Sequence, residues 1–239
     1  MKFLIEPSVF TAFPGMRVIT VQANAIDNSA DVTGVNQYWA EVWASAQALR
    51  QYGNAQSHPH IQPWRRRMLD LGVSGKRFPT SIEALLRRAL KGGAPFTINP
   101  VVDFYNAVSL KYVVPAGAFD VADLKEDLIL RYTRKGDTFY ALDGDAPVDV
   151  PENEIAYTSG NAVITRHVVW RQARNALVKK TTRSCIFVSE ILGELPHELL
   201  VVDVQTALER GMRKYFGVAT TSALLSEQAP EVELLNTNR

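Results

Sequence analysis

The chain has 239 residues, 46% hydrophobic and 21% charged, and its 26 basic and 25 acidic side chains leave a net charge of +1. That balance excludes binding to nucleic acid through a global positive field; an RNA partner would need a local basic patch. A single cysteine excludes an internal disulfide and a thiolate metal cluster, and no stretch is apolar for long enough to span a bilayer. The opening MKFLIEPSVF lacks the apolar core of a secretory signal, so a cytoplasmic location is expected.

Residues 1–5 and 16–22 read as short strands, the second β-branched and introduced by Pro14-Gly15. After a turn at 31–34, residues 35–50 place Tyr38, Val42, Ala46 and Leu49 at helical spacing and stop near Gly53. A second helix is expected from about Pro59, carrying Trp64, Met68 and Leu71; its Arg65-Arg66-Arg67 run reads as a solvated face, with phosphate contact the alternative. Thr80-Ser81-Ile82-Glu83 has the form of a capping box, and Gly92-Gly93 stop the amphipathic helix behind it.

The most informative stretch follows, from Asn99 to Asp120. Asn99-Pro100 is a helix start: a capping side chain, then a residue whose fixed φ suits the first turn. Val101, Phe104, Tyr105, Val108 and Tyr112 form an apolar face, while Asp103, Asn106 and Ser109 form a face of short polar groups. Short polar groups among apolar neighbours predict a partly buried wall whose donors and acceptors are held in place. Residues 114–120, with Pro115 and Gly117, read as a loop facing that wall.

Beyond Asp120 the period becomes alternating. Residues 127–133, 138–142, 154–158, 162–170 and 184–190 read as strands joined by short turns, hence mostly antiparallel. Pro196 is expected to open a last helix whose inner face includes Leu200, Val204, Leu208, Gly211 and Tyr215. The whole is an α+β chain, an antiparallel or mixed sheet core with flanking helices. Residues 1–63 are expected to pack on the same domain as 64–217, and 218–239 to form a loosely ordered tail.

Familiar catalytic signatures are missing: there is no phosphate loop, dinucleotide fingerprint or serine elbow. His58 and His60 read as surface loop residues, His167 as a mid-strand residue and Cys185 as an inert core thiol. No metal and no cofactor are expected.

The segment VVDFYNAVSLKYVVPAGAFD, followed by LILRY and then ALDG, resembles the B3/B4 module of the bacterial phenylalanyl-tRNA synthetase β subunit. That family has a helix reading roughly V-D-x-T-N-Y-V, a loop Q-P-x-H-A-F-D, a strand ending near Arg and a turn Leu-Asp-Gly. Val102, Asp103, Asn106, Pro115, Ala118, Phe119, Asp120, Arg131, Leu142, Asp143 and Gly144 fall in that register, over a span of about 64–217. The resemblance implies a free-standing B3/B4-like fold that binds the 3′ end of tRNA and hydrolyses the ester of a wrongly attached amino acid. Hydrolysis of an activated ester needs only a positioned water and a stabilised oxyanion. It implies Asn106 and Glu190 as catalytic candidates, Asn106 to hold an amino group or a water and Glu190 to bind an ammonium group. Asp103, Ser109, Gly117, Trp170, Arg171 and Gln172 are the substrate-binding candidates. Arg166, Arg174, Lys179, Lys180 and Arg183 form a local basic run for tRNA phosphates, with a solvated hairpin as the other reading.

Departures from the family pattern imply a remodelled pocket. Gly117 stands where the family has a loop histidine, and Tyr105 where it has a threonine. Val169-Trp170-Arg171-Gln172 replaces a glycine-rich turn. The family's glutamate aligns with Val188, and Glu190 lies two residues on, on the same strand face. Three readings therefore stay open: a trans-editing deacylase, a non-catalytic tRNA- or RNA-binding module, and an amino-acid-binding protein. No membrane partner and no oligomeric state are implied.

Overall fold

The computed structural model describes residues 1–29, 32–195 and 197–235. In chain order the elements are β1 (Lys2–Ile5), α1 (Pro7–Ala12), β2 (Arg17–Ala23), α2 (Thr33–Ser45), α3 (Gln62–Asp70), α4 (Ser81–Leu90) and α5 (Pro100–Tyr112). There follow β3 (Gly117–Asp120), β4 (Leu128–Tyr132), β5 (Thr138–Phe139), β6 (Val148–Asp149), β7 (Ile155–Ser159), β8 (Ala162–Arg166), β9 (Arg171–Gln172) and β10 (Cys185–Ile191). The last are α6 (His197–Phe216), β11 (Thr220–Leu225) and β12 (Glu231–Glu233).

Two sheets result. The larger runs β12-β1-β4-β7-β8-β5-β6 with β9 beside β8; the smaller runs β11-β2-β10-β3. Pairing is antiparallel except between β1 and β4 and between β5 and β8, so the expected mixed sheet of an α+β fold is present. One apolar core joins both sheets to α5 and α6, through Phe3 and Ile5, Ile19 and Val21, Phe104, Phe187, Val204, Leu208 and Met212. A second cluster, with Trp39, Trp43, Leu86, Ala107 and Leu110, cements α2, α4 and α5.

Helix α5 is buried nearly all round, and two asparagines fix its start. Asn99 Oδ1 accepts from Val102 N–H (3.1 Å) and its amide donates to the Val178 carbonyl (3.1 Å). Asn28, 71 residues earlier and fully buried, accepts from Val101 N–H (2.9 Å) and donates to Asn99 Oδ1 (2.9 Å) and to the Lys179 carbonyl (2.8 Å). The far end stops at Val113, a β-branched residue at φ 52°, where a Cβ crowds the backbone. Gly211 of α6 packs on the Phe104 ring so closely that a methyl group there would overlap it, which brings α6 down onto α5.

Several expectations are corrected. Helix α1 lacks a sequence signal long enough to read. Residues 35–50 divide into α2 and a 3₁₀ segment, Ala46–Tyr52, and the second helix starts at Gln62 rather than near Pro59. Arg65 and Arg67 are ion-paired, to Glu83 (2.9 Å) and Glu194 (2.5 Å), while Arg66 is exposed. Thr80 Oγ1 does accept from Glu83 N–H, but the Glu83 carboxylate turns to Arg65 and Arg87 instead of closing the box. His58 is buried, and burial with His60 nearby holds it down to about 4. Residues 117–120 are strand β3, not loop, because β10 pairs with them. The strand read over 162–170 ends at Arg166; His167 (φ 46°) and Val168 (φ 59°) turn it back into β9. The expected loose tail contains β11, on β2, and β12, on β1. Pro196, expected to open the last helix, lies outside the described residues.

Candidate functional site

Where α5 passes the start of β3 and the end of β10, the layers line an open-mouthed pocket of about 150 Å³. A single water needs roughly 10–15 Å³ on this measure, so the space suits a small molecule or a chain end. Strand alternation supplies its floor. Val188 and Glu190 of β10 both line it, while the intervening Ser189 turns away and donates to the Pro115 carbonyl (2.6 Å). Gly117 sits opposite Val188 in the β3–β10 ladder, and a Cβ built there would meet nothing within 4 Å. Gly117 therefore leaves open space at this point of the wall.

Glu190 is the cavity's acid. It is 2% exposed and its Oε1 accepts from the Tyr157 hydroxyl. Burial pushes the carboxyl up to about 7, although the hydrogen bond from Tyr157 works the other way. The Tyr157 phenol is driven far above its ordinary range by burial and then by the neighbouring Glu190. Asn106 reaches the cavity from α5, half-buried, and its side-chain amide has no protein partner among the described residues. A carboxyl that changes charge near neutrality thus faces the same space as a free amide.

Trp170, Arg171 and Gln172 line the opposite wall. Trp170 packs against Phe78 (centroids 4.6 Å) and His167 (5.6 Å). Arg171 is ion-paired with Asp143 (2.6 Å), whose carboxyl that contact holds below the usual range. The Gln172 amide donates to the Ala118 and Ala176 carbonyls (3.2 and 3.3 Å), which ties the wall to β3.

The remaining candidates lie elsewhere. Asp103 accepts from Ile98 N–H (2.9 Å) at the start of α5, and burial raises its carboxyl; it does not line the cavity. Ser109 donates to the Val114 carbonyl (2.6 Å) and closes the helix end. Arg166 forks onto Glu154 (Nη2–Oε2 2.6 Å). Arg174 donates to the Tyr140 hydroxyl and the Leu142 and Gly144 carbonyls, Lys179 pairs with Asp123 (2.6 Å), and Arg183 donates to the carbonyls of Lys180 and Thr182. Lys180 is exposed. The basic run is thus largely engaged within the protein. Among the motif residues, Arg131 is buried and bidentate on Asp137 (2.7 and 2.9 Å), a structural role.

Sequence reasoning missed Tyr157. It sits in a strand that was anticipated, but its bond to Glu190 joins residues 33 apart and leaves no local pattern. Among the described residues no group of three or more His, Cys, Asp or Glu is placed to hold a metal ion, and no helix is long and apolar enough to cross a membrane.

Two sheets, helices packed on them and a pocket with a buried acid define a pocket-bearing α+β domain. The B3/4 domain model matches residues 64–215, and the chain belongs to that family. It is similar to the crystal structure of an N-terminal fragment of the phenylalanyl-tRNA synthetase β-subunit from Pyrococcus horikoshii, at 11% identity and a TM-score of 0.44. That match covers 94% of this chain and 53% of the other, so the chain spans about half its length. No curated protein matches it.

Proposed function

We propose that this B3/4 domain protein binds the aminoacylated 3′ end of tRNA and hydrolyses the ester of a wrongly attached amino acid. Family membership supports a tRNA-related role at the level of the family. The observation that carries the finer reading is Glu190, a carboxyl pushed up to about 7 by burial, in the same cavity as the Asn106 amide, which has no protein partner among the described residues. An acid–base group works best when its pKa lies near the working pH. In this reading ionised Glu190 takes a proton from a water as the water oxygen bonds to the ester carbonyl carbon. The Asn106 amide donates to the carbonyl oxygen. The bond from that carbon to the ribose oxygen then breaks, and Glu190 returns the proton to that oxygen, which leaves as the ribose hydroxyl.

Release of amino acid from a panel of mischarged tRNAs tests this. Glu190→Gln is expected to lower the single-turnover rate by about 10² or more, and Asn106→Ala by tenfold or more. Above the uncatalysed background, the wild-type rate should rise as pH increases through about 7, because the base form is the active one, and the Glu190→Gln profile should be flat. No turnover with any pair, despite tRNA binding, would sink the deacylase reading. It would favour a non-catalytic tRNA-binding module, a reading supported by the internal engagement of Arg171 and Gln172. Pocket binding of free amino acid without tRNA affinity would favour an amino-acid-binding protein.

A further inference from the structure

We infer that the cleft between α2, α5 and α6 is a docking surface for single-stranded nucleic acid, separate from the candidate pocket. The cleft, about 310 Å³, is lined by the cations Lys111, Arg210 and Lys214 and by the rings of Tyr38, Tyr112 and Tyr215, against one carboxylate, Asp203. Its floor is the close approach of Gly211 to Phe104. Tyr38 and Tyr215 stack with centroids 5.9 Å apart. Lys111 Nζ lies 5.3 Å from the Tyr112 centroid and 6.0 Å from that of Tyr38, and Lys214 Nζ lies 4.7 Å from that of Tyr215.

Two contrasts decide the partner. Among the described residues none of Lys111, Arg210 and Lys214 forms an ion pair, whereas Arg166, Arg171 and Lys179 are each held by a carboxylate. Positive charge not neutralised by a carboxylate therefore collects in the cleft, whereas in the basic run Arg174 and Arg183 are turned onto backbone carbonyls and only Lys180 is left exposed without such a contact among the described residues. Interleaved cations and aromatic rings match a strand that offers phosphates and unstacked bases together. A duplex keeps its bases stacked inside, and an acidic peptide has no use for the rings. The cleft and the pocket share α5 but use different faces of it. Asn106 and Lys111 are five residues apart, roughly 140° around the helix and 7.5 Å along it. This surface goes beyond the deacylase reading and does not depend on it.

Fluorescence anisotropy of the whole chain with a labelled 12-nucleotide oligouridylate and a 12-residue oligoglutamate tests the assignment. Neutralising three phosphates of a single strand implies about a tenfold loss of RNA affinity between 50 and 150 mM salt. The combined Lys111→Glu, Arg210→Glu, Lys214→Glu variant should lose at least tenfold at low salt, and Arg174→Glu, Lys180→Glu, Arg183→Glu less than threefold. The reverse ranking, or no RNA binding at 20 mM salt, overturns the inference. Oligoglutamate binding as tightly as RNA also overturns it and points to an acidic protein partner. If the cleft variant fails to fold, ultraviolet crosslinking of the unaltered protein reads the same surface. Crosslinks in peptides holding Tyr38, Tyr112 or Tyr215 uphold it, and crosslinks confined elsewhere refute it. Ester hydrolysis is not measured, so the deacylase reading can fail without touching this one.

Discussion

Glu190 concentrates charge chemistry in one buried carboxyl, and that has a measurable effect on stability. Its folded pKa, about 7, lies above the ordinary carboxylate value, so the folded chain holds this proton more tightly than the unfolded one. The contribution is fully present below the unfolded pKa and is lost as pH rises through about 7. Relative to wild type, Glu190→Gln should gain on the order of 3 kcal/mol on going from pH 4 to pH 8. Urea melts of the two proteins at both pH values check this, and parallel pH dependences would refute it. At Gly211 the constraint is steric. Gly211→Ala pushes a methyl into the Phe104 ring and should cost about 1–3 kcal/mol, read as a lower urea midpoint. The sequence marked Gly211 as an inner-face position. It carried no sign of the ring above it, because Phe104 is more than a hundred residues away.

Elements were legible where their signals are local. Asn99-Pro100 announces the start of α5, and Thr80 that of α4, since a cap reaches only two or three residues ahead. Partners supplied from a distance were not legible. Asn28 completes the α5 cap from 71 residues away, and nothing around it in the sequence says so. Asn28→Ala would leave the Val101 N–H and the Lys179 carbonyl buried without this partner, and should cost about 2–3 kcal/mol in denaturant melts. A loss below 0.5 kcal/mol would mean that water replaces the side chain. The same limit explains β3, which is a strand only because β10 pairs with it, and the end of β8, where apolar residues continue straight through the turn at His167 and Val168. It also explains the basic run. Its arginines and lysines were plain to read, but Glu154, Asp123 and Asp143, which engage three basic side chains of that region, come from other segments.

Across the molecule, the α+β class and most strands followed from the change of period near Asp120, while the role of the last twenty residues did not. Among the described residues strand β11 pairs with β2 alone, and Thr221 and Ser222 are exposed, so the segment reads as polar and periodless. Yet β11 and β12 cover β2 and β1, and Gln22 clasps them further by donating to the Glu233 carbonyl (2.9 Å) and accepting from Leu235 N–H (2.8 Å). Ending the chain at Gly217 would uncover an edge on each sheet, and unpaired edges recruit other chains. The shortened protein should aggregate, seen as a void-volume peak in size-exclusion chromatography; a monodisperse product would refute this account.

The pairing of β1 with β12 also fixes an order in time. Lys2 and Phe3 are made more than two hundred residues before Val232 and Glu233, the residues that pair with one side of them. At translation rates of about 5–20 residues per second, β1 waits roughly 12–46 s for that neighbour. Throughout that interval one side of β1 lacks its partner, even after β4 has been made to pair with the other. An intermediate with that edge of β1 still open therefore precedes the finished sheet.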